Sequence, residues 1–184
     1  ILTATALDVT SGNLSIGILT ATNLKVGSSA TIFATTTSGA GIGTVTPRAA
    51  LDVAGHTRLK TVSEEVGIVT VVSNQLKIYL NEASTFICTI SDDISRIRLY
   101  NADKTNTAQS FTLKLVQDST GGHGVGINTI HNGDDDAISV YWPGGVVPDV
   151  TSTADKTDIY SFKIFDGADL DNQGIFGVIT GQNF

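Results

Sequence analysis

The chain states one short phrase twice. Ile1-Leu-Thr-Ala-Thr-Ala-Leu-Asp-Val9 reads against Ile18-Leu-Thr-Ala-Thr-Asn-Leu-Lys-Val26. A short repeat of strand-turn units marks an array in which each unit is too small to be stable alone. Leu7-Asp8-Val9 and Leu24-Lys25-Val26 both alternate in-out-in, the period of a strand. A weaker echo follows at Gly67-Ile-Val-Thr70. These strands are expected to bury their apolar faces on neighbouring copies or neighbouring chains. Self-association about a three-fold axis does this and leaves few free edges.

Composition supports this reading. Residues 1–62 hold one aromatic, Phe33, among Gly, Ser, Thr and Asn. Such a segment cannot bury much apolar area against itself. Over the whole chain, 41% of residues are hydrophobic and only 16% charged. A soluble monomer normally carries more surface charge. Thr, Val and Ile are plentiful and helix formers scarce, which favours strands. The chain has no Met, even at position 1, so we expect a piece of a longer polypeptide or a processed product.

In "LDVAGHTRLK", Leu51, Val53, Thr57 and Leu59 are predicted to share one strand face, with Asp52, Arg58 and Lys60 opposite. From about Val66 the text becomes that of a globular all-β domain. Leu76, Ile78 and Leu80 alternate inward, as do Phe86, Cys88 and Ile90. Ile97 and Leu99 point in, with Arg96 and Arg98 out. Phe111, Leu113 and Leu115 follow the same rule. Gly- and Asp-rich clusters separate the runs. No amphipathic helix of about ten residues is evident. The expectation is short shaft strands over 1–62 and a jelly-roll-like β-sandwich over 63–184, assembled as an intertwined homotrimer.

Several motifs suggest chemistry. "STGGHGVG" (Ser119 to Gly126) is Gly-rich but lacks the ending of a P-loop and a following helix. A hairpin loop is the simpler reading. "NGDDD" offers Asp134, Asp135 and Asp136, and "DGADLDNQG" offers Asp166, Asp169 and Asp171. Both are candidate calcium loops, since Ca²⁺ takes several oxygens from a flexible segment. His56, His123 and His131 show no metal-ligand spacing. No catalytic constellation follows from spacing, so no catalytic residue, cofactor or enzymatic activity is expected. Cys88 reads as a core thiol and Trp142 as a core aromatic. His123, Asn132, Asp169 and Asn172, in loops, are candidate receptor contacts. The net charge of −7 disfavours nucleic acid, which needs clustered Lys and Arg. No run reaches the roughly 18 apolar residues of a membrane-spanning helix.

Three stretches carry a family resemblance. "GILTATNLKV" resembles the GIVTAT-type repeats of structural proteins from marine cyanobacterial tailed phages. "GIGTVTPRAALDVAGHTRLK" resembles a GIGT-x-x-P-x-x-x-LDV-x-G-x-x-R segment of phage tail fibres. "SFTLKLVQDSTGG", then "YWPGGVVPDVTSTADKTDIYSFKIFDG" and a final "GQNF", is similar to the C-terminal domain of phage tail-fibre and virion proteins. The resemblance implies a trimeric, β-rich virion appendage, assembled in the host cytoplasm. Its implied partners are copies of itself, other virion proteins, and a host-surface glycan or protein. A purely connecting or decorating role in the virion is the alternative. A polysaccharide depolymerase is a more distant one. The sequence departs from the pattern in the expanded "HGVGINTIHNGDDDAISV", and in "DGADLDNQGIFG", where Ile175 and Phe176 stand in place of a usual Trp.

Overall fold

A computed structural model describes residues 39–42, 49–103 and 107–184. Both copies of the opening repeat, Phe33 and residues 43–48 lie outside the described residues. The chain divides into two compact units, Ile1–Lys60 and Thr61–Phe184.

In the first unit, β1 (Ala40–Ile42) pairs in parallel with β2 (Leu51–Val53). Ala40 N donates to Ala50 O and Ala54 N to Ile42 O, each at 2.9 Å. The strand expected through Lys60 stops at Val53. Its ladder partner ends at Ile42, and beyond it Leu59 is exposed. Alternation without a partner does not make a strand.

The second unit is all-β. Its strands are β3 (Val66–Val72), β4 (Gln75–Tyr79), β5 (Thr85–Ile90), β6 (Arg96–Tyr100), β7 (Gln109–Gln117), β8 (Ile130–His131), β9 (Ala137–Ile138), β10 (Val140–Tyr141), β11 (Thr157–Ile164) and β12 (Ile175–Gly181). A four-residue α-helix, α1 (Leu170–Gln173), precedes β12. The lateral order is β10-β12-β11-β7-β5-β3-β4-β6-β8-β9. Strand β3 divides this order into two halves. Its Val66–Thr70 stretch pairs with β5, and Val71 and Val72 pair with β4.

Successive strands alternate between the halves. β3, β5 and β7 are mutually parallel neighbours in the first. β4, β6 and β8 are parallel neighbours in the second. The chain therefore coils, one half-turn per strand, before β11 and β12 close the first half by antiparallel pairing. Antiparallel Greek keys, expected of a jelly roll, are replaced by mixed pairing. The loop at Ser119–Gly126 is likewise no hairpin. It crosses from β7 in one half towards β8 in the other.

The first half-turn begins with a tight hairpin. Ser73 and Asn74 take φ values of 51° and 58° between strands in two-residue register. Both positive φ values match the turn whose twist suits a hairpin. Ser95 Oγ then donates to the Asn74 carbonyl at 2.9 Å, fixing the next crossing.

Both halves turn alternate side chains into one core. Leu76, Ile78, Ile97, Leu99 and Ile130 come from the second half. Phe86, Cys88, Ile90, Phe111, Leu113, Leu115, Tyr160 and Phe162 come from the first. Each fully buried side chain of this size contributes about 1.5–3 kcal/mol. Trp142 packs edge-on to Tyr160 and Phe162, and donates Nε1–H to Asn128 Oδ1 at 2.9 Å. A Cβ on Gly177 would meet the Trp142 ring at 2.7 Å, so only glycine lets that ring lie against β12. Burial pushes the Cys88 thiol up to about 11.

Candidate functional site

The loops that join the coils carry most of the predicted site residues. Two of them meet at a polar pocket of about 430 Å³. Its lining includes Tyr100 at the end of β6, Asn101 just beyond it, Asn132 and Asp134 between β8 and β9, and Gly167 and Ala168 before α1. The "NGDDD" loop and the stretch beginning "DGAD" are thus brought together, although they are far apart in sequence.

The carboxylates of these loops are largely engaged. Asn132 Oδ1 accepts the N–H of Asp134 and of Asp136, both at 2.9 Å. Asn132 Nδ2 donates to Asp136 Oδ2 at 3.1 Å. This is an Asx-type turn that builds the loop itself. Asp135, at φ 77°, turns away to the face of β6. Arg96 Nη1 donates to both its oxygens, at 2.8 and 2.9 Å. Arg98 Nε lies 3.7 Å from the same carboxylate, and Arg98 Nη2 donates to the Gly133 carbonyl at 3.0 Å. His131 Nδ1 lies 2.8 Å from the Asp135 carbonyl oxygen. Two outward arginines on alternate positions of β6 therefore clamp the loop.

In the second loop, Asp166 Oδ1 accepts the Ala168 N–H at 3.0 Å. Asp169 Oδ1 accepts from Asn172 Nδ2 at 2.7 Å. The side chain of Asp171 lies outside the described residues. Among the described residues, no three His, Cys, Asp or Glu side chains gather as a metal would require.

His123 sits apart, on the β7–β8 crossing. Its Nε2 is 3.2 Å from Asp118 Oδ1. The same oxygen accepts the N–H groups of Thr120 and Gly121, each at 2.9 Å. Gly121's hydrogen bond first, then Thr120 and the His123 ring, hold the Asp118 carboxyl below its usual value. Gly122 N donates to Ser152 O and Gly124 N to Asp93 Oδ1. The N–H groups of this Gly-rich loop therefore already serve internal acceptors, which rules against a phosphate cradle there.

Sequence reasoning missed the staples. Gln117 Nε2 donates to the carbonyls of His123 (2.9 Å) and Thr151 (3.0 Å). Buried Asp158 accepts from Thr151 N at 2.6 Å and Asn183 N at 2.9 Å. Gln182 Nε2 donates to Asp149 O at 2.6 Å, and Phe184 exchanges backbone bonds with Thr157. The "VPDV", "KTD" and "QNF" portions of the terminal motif thus converge on one another. Their work is to pin the C-terminal end of the fold. A polar residue at an inward strand position, such as Gln117 or Asp158, was the available signal.

Neither a family model, nor a curated protein, nor a solved structure matches this chain.

Proposed function

We propose that the chain is part of a phage virion fibre, a non-enzymatic element that trimerises and presents its second unit to a host surface. One observation carries the reading: the first strand of the coil is unfinished. Among the described residues, Val66–Thr70 of β3 pairs on one side only, with β5. Its outward residues are Val66, Ile68, Thr70 and Val72, and Ile68 is 73% exposed. An uncharged, apolar edge of this kind is a template for another chain, and proteins that stay single protect such edges with charge or proline. Charge poverty over the whole sequence and the fibre-like motifs point the same way.

The loops support a role in attachment. The expanded "NGDDD" region and the "DGADLDNQG" region border one polar pocket, and loops on a rigid scaffold are where recognition concentrates. Labelled intact chain should bind marine cyanobacterial cells saturably. Absence of binding to susceptible cells, with normal incorporation into virions, would instead favour the connector role.

A further inference from the structure

The outer face of the first half holds a second cavity, distinct from the polar pocket. Register places its residues in two rows. Tyr141, Phe176, Lys163 and Ser110 stand side by side across β10, β12, β11 and β7. Val178, Ser161, Thr112 and Thr85 form the next row. Ser110 at the end of the first row and Ser161, Thr112 and Thr85 in the second are small and hydroxylated, while Phe176 and Val178 make the β12 side bulky. A groove of about 480 Å³ results, lined by Ser110, Thr112, Ser161, Lys163, Phe176 and Glu64 among others.

The groove's polar groups are few and oriented. Lys163 Nζ donates to Ser110 Oγ at 3.1 Å. Thr112 Oγ1 and Ser161 Oγ lie 3.5 Å apart. Ser84 Oγ donates to Glu64 Oε2 at 2.6 Å. Three aromatic rings continue the β12 wall. Phe176 lies 5.2 Å from Tyr141 and 5.5 Å from Phe165, centroid to centroid. All three are about half exposed, at 46%, 48% and 55%. An exposed aromatic cluster beside a concave polar floor is a recognisable ligand surface.

We propose that this groove binds a neutral hexopyranose unit of a glycan chain. A pyranose ring has one face of C–H groups and a rim of hydroxyls. The C–H face fits the Phe176 ring, whose face is electron-rich. The hydroxyl rim needs groups that both donate and accept, which Ser110, Thr112 and Ser161 supply. Lys163 adds donors and Glu64 an acceptor at the same floor. A flat protein partner would leave the floor hydroxyls unmatched, whereas a sugar inserts. The inference rests on the attachment reading and assigns its chemistry to a surface other than the predicted loops.

The test is amide-shift mapping of the isotope-labelled full chain titrated with cellobiose, maltose, lactose and mannobiose. With dissociation constants of about 1–10 mM, at least one disaccharide should shift the Ser110, Lys163 and Phe176 signals by about 20 mM. Phe176→Ala should weaken that binding about tenfold, and Ser161→Tyr, which fills the floor, should abolish it. Unchanged melting of both variants shows that folding is retained. If none of the four sugars shifts these signals, the proposal is overturned. It is equally overturned if shifts appear only at Tyr100 and Asn132, or if the variants alter the assembly mass and leave sugar binding intact. Cell binding that persists without groove shifts removes the groove and leaves the attachment reading standing. Groove shifts without cell binding do the reverse.

Discussion

The two outer faces of the second unit solve the same problem differently. On the second half, β4, β6 and β8 turn out Lys77, Arg96, Arg98 and His131, with Tyr79 stacked on Tyr100 at 4.8 Å. The two arginines and the histidine find partners within the chain: Asp135 accepts from Arg96, the Gly133 carbonyl accepts from Arg98, and His131 Nδ1 lies 2.8 Å from the Asp135 carbonyl oxygen. On the first half, β3, β5, β7, β11 and β12 turn out mainly Val, Ile, Thr and Ser, with Lys114 and Lys163 as the strand cations. Its large apolar side chains, Ile68, Phe176 and Val178, stay exposed. One face is closed by its own loops. The other is left uncovered by the described residues. Charge placement, rather than strand pairing, separates them.

Both faces hang on the shared core, so the largest effect belongs there. Trp142→Ala should cost about 3–5 kcal/mol in urea unfolding, through a cavity and the orphaned Asn128 amide. A cost under about 1 kcal/mol would mean the ring is not shared packing. Gly177→Ala should cost about 1–3 kcal/mol, because the added methyl meets the Trp142 ring.

The faces themselves should then part company. Asp135→Ala removes the partner of two arginines, one of them with a buried Nε. Screening at this half-exposed pair limits the loss to about 1 kcal/mol. Thr112→Val, on the opposite face, should change stability by no more than about 0.5 kcal/mol. Equal costs would mean that the two faces do not differ in this way.

The smallest effect concerns pH. The folded Asp118 value lies below the ordinary 3.8. Its stabilisation is therefore present above the unfolded value and lost as pH falls through the folded one. Asp118→Asn should flatten the acid limb of the unfolding midpoint against pH. An unchanged limb would show that the Gly121 and Thr120 bonds are indifferent to that charge.

The inner faces were legible in the sequence because burial has a period of two. Leu76/Ile78, Phe86/Cys88/Ile90 and Phe111/Leu113/Leu115 all lie where alternation puts them. Pairing was not legible. Alternation says which side chains share a face, and nothing about which strand lies next door, so a parallel coil and an antiparallel sandwich read alike. The loops were visible as loops, but their chemistry was not. Asp135 looked like a free acid in "NGDDD" until register set Arg96 beside it. Ser110, Thr112 and Ser161 form a groove floor only once β7 and β11 are known to be neighbours.

We propose that the unpaired edge of β3 is completed by other copies of the chain. The light-scattering mass of the intact chain at micromolar concentration decides this, with Ile68→Lys alongside. The native protein should show three times the chain mass of 19.2 kDa, and the variant a shift towards a single chain. A native species of one chain mass would contradict it.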